Sequence, residues 1–506
     1  MRSIAIPALL AGLLFALSMP GPDLGLLAWV ALVPLLWILD GRAPREAFKS
    51  GFLAGAAFFA LLLHWLYTLW DWASFAIVPA YIILVGYLSL YWGVFGALFA
   101  LMSRRLPLGV LIFVVPALWV GLEFLRSLTR FGFPWGQAAD ALYQQLPFVQ
   151  ISSLMGIWGV SFLVVLVNAG LALGFTRRVW HPPVVALGIA ALAFSWGSWH
   201  LTQPQPEGHQ LSLAILQPNI PQRIRGDPRR LEEFLDIYRK LLAEAEAKLA
   251  GSPSLMVLPE SILPVGVLED PEVLEEFSGW TGRNGIPLIL GTYRYSSEQV
   301  FNSTVAISSW GEVLDTYDKV HLVPFSTEYF PAIELLKRLG LLRWIPVATR
   351  LGLLSKGEGF EPLSTELGPL ATPICFESIF PHISREFVRR GAQIIITITN
   401  DAWFKASFAL PQHFAKGVFR AVENGRYFIQ AANTGISGII DPQGRIVEKT
   451  RIEERTVLYG SAKLQYAQTF YTRFGDWLPL LSLFYLLGLN LRLLTRRGSH
   501  RWPRWP

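Results

Sequence analysis

One cysteine, Cys375, is the whole thiol content of 506 residues. A lone thiol forms no disulfide within its own chain, which excludes a disulfide framework. Charge is scarce too. Asp, Glu, Lys and Arg make up 16% of the chain, against about 25% in soluble proteins, and mean hydropathy is +0.40. Histidine is sparse and scattered, eight in all. No His-x-x-x-His, Cys-x-x-Cys or carboxylate cluster offers metal-ligand spacing, so no metal is expected. Neither Gly-x-Gly-x-x-Gly nor a P-loop occurs, so no nucleotide or other cofactor is expected. A net charge of +6 and a pI near 9.3 accompany no RNA- or DNA-binding motif, which argues against nucleic acid as a partner. Internal repeats and low-complexity tracts are also missing.

What the chain has instead is long apolar runs. Seven lie in its first 200 residues, approximately Ile4–Leu17, Leu24–Leu39, Phe52–Leu69, Phe75–Leu101, Leu108–Phe124, Ile151–Phe175 and Val184–Trp199, and an eighth at Trp477–Leu494. Several fall short of the ~20 residues that cross a bilayer upright, so their ends are less defined than their number. The first is expected to be retained rather than cleaved. Only Arg2 precedes it, and Ser18-Met19-Pro20 is a poor small-x-small site. Basic residues fall in every second connection: Arg2; Arg42, Arg45 and Lys49; Arg104 and Arg105; Arg177 and Arg178; and the tail Arg492, Arg496, Arg497, Arg501 and Arg504. Arg126 and Arg130 are the exception. The positive-inside rule then predicts a multi-pass membrane protein with both termini cytoplasmic and the segment between spans seven and eight outside.

That segment reads differently. Pro204-Gln205-Pro206-Glu207-Gly208 signals a linker. Strand-length apolar runs follow at Leu211–Leu216, Leu255–Leu258, Leu288–Leu290, Thr304–Ser308, Ile374–Phe376, Ile394–Thr399, Phe428–Ala432, Ile436–Ile440 and Thr456–Tyr459. Helices are expected at Pro228–Leu249, Glu272–Phe277, Ile383–Arg389 and Gln412–Glu423. Alternating strands and helices predict a layered α/β domain. The expected division is therefore a seven-helix membrane domain over 1–203, an outer α/β domain over 204–472, and a last span with a basic tail over 473–506.

Three segments carry chemistry. Met256-Val257-Leu258-Pro259-Glu260 runs an apolar strand into a carboxylate, where α/β folds place reactive groups. Tyr317-Asp318-Lys319-Val320-His321-Leu322-Val323-Pro324-Phe325 puts a lysine in an apolar stretch, which is costly unless an acid pairs with it. Ile374-Cys375-Phe376-Glu377 carries the thiol. Each has a bland alternative: a turn acid, a snorkelling lysine, a small buried hydrophobe. Together, in this order, they resemble the nitrilase superfamily. The likeness continues through Thr399-Asn400-Asp401-Ala402-Trp403-Phe404, Pro411-Gln412-His413, Arg420–Arg426 and Ala432–Ser437. A nitrilase-like domain set between seven spans and an eighth is similar to one branch of it, the apolipoprotein N-acyltransferases. Three departures stand out. Phe376 replaces a Tyr common after the cysteine, Gly226 replaces a Trp, and Glu328 is offset by one residue.

The resemblance implies an α-β-β-α sandwich on a bundle of about eight transmembrane helices, with a Glu260-Lys319-Cys375 triad supported by Glu328, Glu377 and Phe376. Cys375 would be the nucleophile. Glu260 would be the general base, and Lys319 would favour the thiolate and stabilise the oxyanion. Glu328 and Glu377 would support Lys319 and Glu260. The implied reaction takes an acyl chain from a phospholipid, typically phosphatidylethanolamine, through a cysteine thioester. The acceptor is the amine of an apolipoprotein's S-diacylglyceryl cysteine, on the periplasmic side, by a monomer. An apolar arm spanning Leu335-Leu336, Leu341-Leu342, Trp344-Ile345 and Leu351–Leu354 could gate lipid entry or pack within the domain. Two other readings stay open: a membrane-anchored amidase that uses water, and a transporter or lipid-binding protein without catalysis.

Overall fold

The computed structural model describes residues 5–129, 131–204, 207–249, 254–331, 337–340 and 352–495. Arg130, the arginines from Arg496 onward and most of the expected apolar arm (Leu335, Leu336, Leu341, Leu342, Trp344, Ile345 and Leu351) lie outside the described residues. The N-terminal part is helical: α1 Ala5–Leu17, α2 Val33–Leu39, α3 Pro44–Leu62, α4 Ile77–Ser103, α5 Leu108–Ser127, α6 Ile157–Arg177 and α7 His181–Thr202. Every predicted apolar stretch contains helix, but three are divided. One cut falls at Gly156, whose φ of +64° ends a short turn and starts α6. A Cβ there would lie 2.5 Å from the Tyr471 ring, so only glycine fits. Among the described residues, four helical stretches are long and apolar enough to cross a membrane: His64–Ser103, Leu108–Ser127, Ile157–Arg177 and His181–Thr202. Close helix contact rests on small residues, as it does in bilayers. Gly51 of α3 and Gly96 of α4 press on the partner backbone, and an added Cβ would come within 2.2 Å of Trp92 O and 2.5 Å of Ala47 O. Ile82, Ile83, Leu192 and Phe484 point outward, which suits a lipid environment rather than water.

The sheet domain that follows the helices is built on period-two burial. Along β1 (Gln210–Gln217), Leu211, Leu213 and Ile215 face one core while Ala214 and Leu216 face another. The alternation repeats in β2 (Ser254–Val257), β3 (Leu288–Ser296) and β4 (Gln299–Ile307). With β5 (Val313–Asp318) and β10 (Thr456–Lys463) they form a six-stranded sheet, β10-β1-β2-β3-β4-β5. One of its faces carries α8 (Leu231–Leu249) and α9 (Pro271–Asn284), whose Phe234, Tyr238 and Phe277 enter the core. The other meets a four-stranded sheet of β6 (Ile395–Thr399), β7 (Phe428–Ala432), β8 (Gly438–Ile440) and β9 (Ile446–Lys449). Helices α10 (Pro381–Arg389) and α11 (Ala409–Asn424) cover that second sheet, and α12 (Trp477–Thr495) returns to α5. β5 and β9 escape the hydrophobic pattern because they are edge strands carrying Asp315, Asp318, Glu448 and Lys449. The strand expected at Ile374–Phe376 is instead a 3₁₀ turn, Cys375–Ile379. Cys375 takes φ +51°, which no ladder tolerates, and pairing stops at a single bridge from Ile374 to Ile398.

Helix α11 ties the two parts together. His413, Lys416, Arg420 and Glu423 recur at three- and four-residue spacing, and all are buried. Buried charge must be paired, and here several of the partners belong to the membrane part. Lys416 Nζ lies 2.7 Å from Asp140 Oδ2 and 2.8 Å from Pro134 O. Glu423 pairs with Arg420 at 2.7 Å and accepts the Ile157 N–H at 2.8 Å, placing a carboxylate at the positive end of α6. Gln412 Oε1 accepts from the indoles of Trp65 and Trp135 at 3.0 and 2.7 Å.

Removing one member of such a pair strands the other. Lys416→Met is expected to cost about 3–5 kcal/mol, and Asp140→Leu with Lys416→Met should recover much of it. Thermal unfolding in detergent measures both. Equal destabilisation by the single and double variants would contradict the coupling.

Candidate active site

Glu260 leaves β2 through Leu258-Pro259 and turns in at 6% exposure. Backbone, not only side chains, fixes it. Gly291 of β3 lies so close that a Cβ would sit 2.6 Å from Glu260 Cα. Arg225 Nη2 donates to the carbonyl of Glu260 at 2.5 Å and also to that of Ser261, whose φ is +44°. The carboxylate accepts Asn302 Nδ2 at 2.6 Å on Oε1 and the Asn400 N–H at 2.7 Å on Oε2. Both oxygens are thus oriented before any substrate enters.

Lys319 follows β5 and is fully buried. Its backbone N–H donates to Asn302 O at 2.8 Å, so one asparagine of β4 positions both the lysine and Glu260. Its ammonium lies 2.6 Å from Glu328 Oε1 and 3.7 Å from Glu260 Oε1. Glu328 is fixed in turn by the Val323 N–H at 2.8 Å on its other oxygen. Burial pulls an ammonium's pKa down, yet Glu328, Glu260 and the sulfur of Cys375 outweigh it, and the pKa of Lys319 is raised. This lysine is a fixed cation.

Cys375 opens the 3₁₀ turn in the left-handed region and is half-buried. Burial, then the charge of Glu260, pushes its thiol well above the ordinary range; Lys319 and a hydrogen bond with Thr399 pull the other way and lose. Lys319 acts in the direction of the thiolate, but burial of the sulfur outweighs it. The thiol rests protonated, because desolvation exceeds the pull of one shared cation.

Glu377 does not touch Glu260 or Lys319 by hydrogen bond. It is fully buried and accepts the N–H groups of Val320, His321 and Ile374, each at 2.8 Å, and the Tyr317 hydroxyl at 2.9 Å. It thereby clamps the segment after Lys319 to the residue before Cys375. Burial raises its pKa against those donors. Phe376 lies among the rings of Phe133, His321 and Phe380 at 6.2, 5.9 and 5.2 Å. It is an apolar wall. Gly226 ends the turn Gln222–Arg225, with nothing within 4 Å of an added Cβ. The structure thus brings Glu260, Lys319, Glu328 and Cys375 into one electrostatic cluster, with Glu377 and Phe376 at its border. Asn302 and Arg225 went unnoticed in the sequence. Asn302 leaves a signal, a polar side chain inside a buried strand; Arg225 leaves none.

A sheet domain that brings an acid from past β2, a lysine from past β5 and a cysteine from a 3₁₀ turn into one cluster defines a carbon–nitrogen hydrolase domain, here mounted on apolar helices. Residues 212–471 match the Carbon-nitrogen hydrolase family, and residues 11–170 match the Apolipoprotein N-acyltransferase N-terminal domain. Similar chains named apolipoprotein N-acyltransferase occur in Geobacter metallireducens, at 36% identity over 93% of this chain and 91% of that one, and in Gloeobacter violaceus, at 33% over 96% and 94%. A third, in Thermotoga maritima, is 31% identical over 97% and 94%. The chain belongs to the apolipoprotein N-acyltransferase family.

The electrostatics give opposite expectations for two variants. Glu260→Gln removes a negative neighbour and should move the thiol's titration to lower pH. Lys319→Ala removes a positive one and should move it to higher pH. Alkylation of the sole cysteine by a small neutral reagent, followed against pH, reads both shifts. Movement in the same direction would contradict the cluster.

Proposed function

We propose that the chain transfers an acyl chain from a membrane phospholipid to the N-terminal amine of an apolipoprotein's S-diacylglyceryl cysteine, through a thioester on Cys375. The observation that carries this reading is a fixed cation, Lys319, held between Glu260 and Glu328 beside the sole thiol, in a domain locked through α11 to apolar helices. Because the thiol rests protonated, attack needs a base, and Glu260 takes its proton as sulfur bonds to the acyl carbonyl carbon. Lys319 stabilises the oxyanion of the tetrahedral intermediate. Collapse expels the lysophospholipid alkoxide, which takes the proton back from Glu260. The incoming amine then attacks the thioester, Glu260 accepts its proton, the amide forms, and the proton returns to the departing thiolate. Glu328 keeps Lys319 aimed, and Glu377 holds the two loops in register.

Both substrates are lipids of one leaflet, which gives the membrane part its purpose. We read the apolar helices, including the shorter Ala5–Leu17, Gly25–Leu39 and Trp477–Leu489, as eight spans. They divide the chain into 1–203, 204–472 and 473–506, with both termini cytoplasmic, the catalytic domain periplasmic and the protein monomeric. Phosphatidylethanolamine is the proposed donor.

Single-turnover acylation of Cys375 by labelled phospholipid tests the roles. Glu260→Gln should nearly abolish it. Lys319→Ala should slow it roughly a hundred- to a thousandfold, the usual cost of losing one oxyanion donor. A wild-type rate in Lys319→Ala would sink the triad assignment. A reporter fused after Gln203 should read as periplasmic, and a cytoplasmic reading would overturn the topology.

A further inference from the structure

The motif Pro411-Gln412-His413 remains outside the steps above, yet its histidine reaches the nucleophile's backbone. His413 stands near the start of α11 and is 4% exposed. Its Nε2 lies 3.2 Å from the Cys375 carbonyl oxygen and 3.0 Å from Ser378 Oγ. Its Nδ1 lies 3.0 Å from Asp401 Oδ1. The indole of Trp135, from the membrane part, stacks on the ring at 6.1 Å and 29°.

The contacts of the ring suit one protonation state, the imidazolium. A carboxylate only accepts, so Nδ1 carries a hydrogen. A carbonyl only accepts, and the single proton of the Ser378 hydroxyl already goes to that same carbonyl at 2.8 Å. With the hydroxyl proton so used, Nε2 is left to donate to the carbonyl at 3.2 Å, with Ser378 Oγ beside it as a second acceptor. Both nitrogens bear hydrogens only in the imidazolium. Charge balance agrees. Asp401 is 1% exposed, and its Oδ2 has no hydrogen-bond partner. A buried carboxylate of this kind is costly without a cation, and His413 is in ion-pair contact with it at 3.0 Å. The groups that bear on the ring are Asp401, after β6; Cys375, in the 3₁₀ turn; and Glu260, at the end of β2. Lys416, one turn along α11, faces away to Asp140. Burial lowers the ring's pKa, but Asp401 first, then the Cys375 carbonyl and Glu260, carry it above the ordinary histidine value.

We propose that His413, held as an imidazolium by Asp401, is a positioning residue for acyl transfer: its Nε2–H fixes the Cys375 carbonyl and so keeps the left-handed backbone that aims the thiol at Glu260 and Lys319. That conformation is strained for a residue with a side chain and persists only when its surroundings over-determine it. The inference rests on Cys375 being the nucleophile.

The test uses the full-length protein in detergent and two readouts, Cys375 acylation by labelled phospholipid and Cys375 alkylation by a small neutral reagent, each against pH. His413→Ala should lower acylation about ten- to a hundredfold, the usual worth of a hydrogen bond from a charged donor. His413→Gln keeps an N–H near the position of Nε2 and should recover much of that loss. Glutamine does not titrate, so the ratio of wild-type to His413→Gln rates should fall as pH rises through the raised histidine value. A His413→Ala protein that unfolds at the wild-type temperature and acylates at the wild-type rate would overturn the proposal. So would a wild-type to His413→Gln ratio independent of pH, a result that stands even if His413→Ala does not fold. Should no phospholipid acylate the wild type, the acyl-transfer reading fails, and the alkylation ratio still judges His413.

Discussion

An ammonium buried between two carboxylates is the constraint from which the rest of the site follows. Lys319 is fully buried, so its charge is tolerated only because Glu328 lies at 2.6 Å and Glu260 at 3.7 Å. The reverse also holds, since two acids this close to one another need the lysine. The arrangement then sets the state of the thiol. Burial of the sulfur and the charge of Glu260 raise the thiol's pKa, and Lys319 pulls against them without prevailing. The same arrangement leaves Glu260 with a defined task.

The second constraint is mechanical. Glu260 and Lys319 sit just past strands and Cys375 opens a 3₁₀ turn, and side-chain hydrogen bonds help fix the backbone around each. Glu377 is the clearest case. Its two oxygens gather donors from Tyr317, Val320, His321 and Ile374, joining the lysine loop to the cysteine turn. Helix α11 extends the same logic across the molecule. Its buried polar stripe meets Trp65, Trp135, Asp140 and the start of α6, so the catalytic domain is not tethered to the helices but keyed into them.

Much of this was legible in the sequence, and the limits are physical. The apolar runs mark helices because uninterrupted hydrophobicity has no other outcome at that length. The alternation along Leu211–Leu216 marks a strand because its two faces meet different cores. Glu260, Lys319 and Cys375 stand out because each breaks an apolar pattern. Edge strands β5 and β9 do not stand out, since a half-exposed edge carries charge like a loop. The turn at Cys375 reads as a strand because its residue types suit one, and only the left-handed φ, invisible in composition, breaks it. The way Glu377 acts was not legible, because most of its hydrogen bonds go to backbone groups that carry no sequence signal. Arg225 escaped notice for the same reason: it binds carbonyls.

The central claim is that Cys375 is a way station for an acyl chain bound for an amine. Intact-mass measurement of the full-length protein tests it directly, first with phosphatidylethanolamine alone and then after addition of a diacylglyceryl-cysteine peptide. The account predicts a mass gain of one acyl chain on Cys375 that persists in water and is discharged by the peptide, with an N-acylated peptide as product. A protein that never gains the acyl mass, or an acyl-enzyme that water discharges as fast as the peptide does, would contradict it.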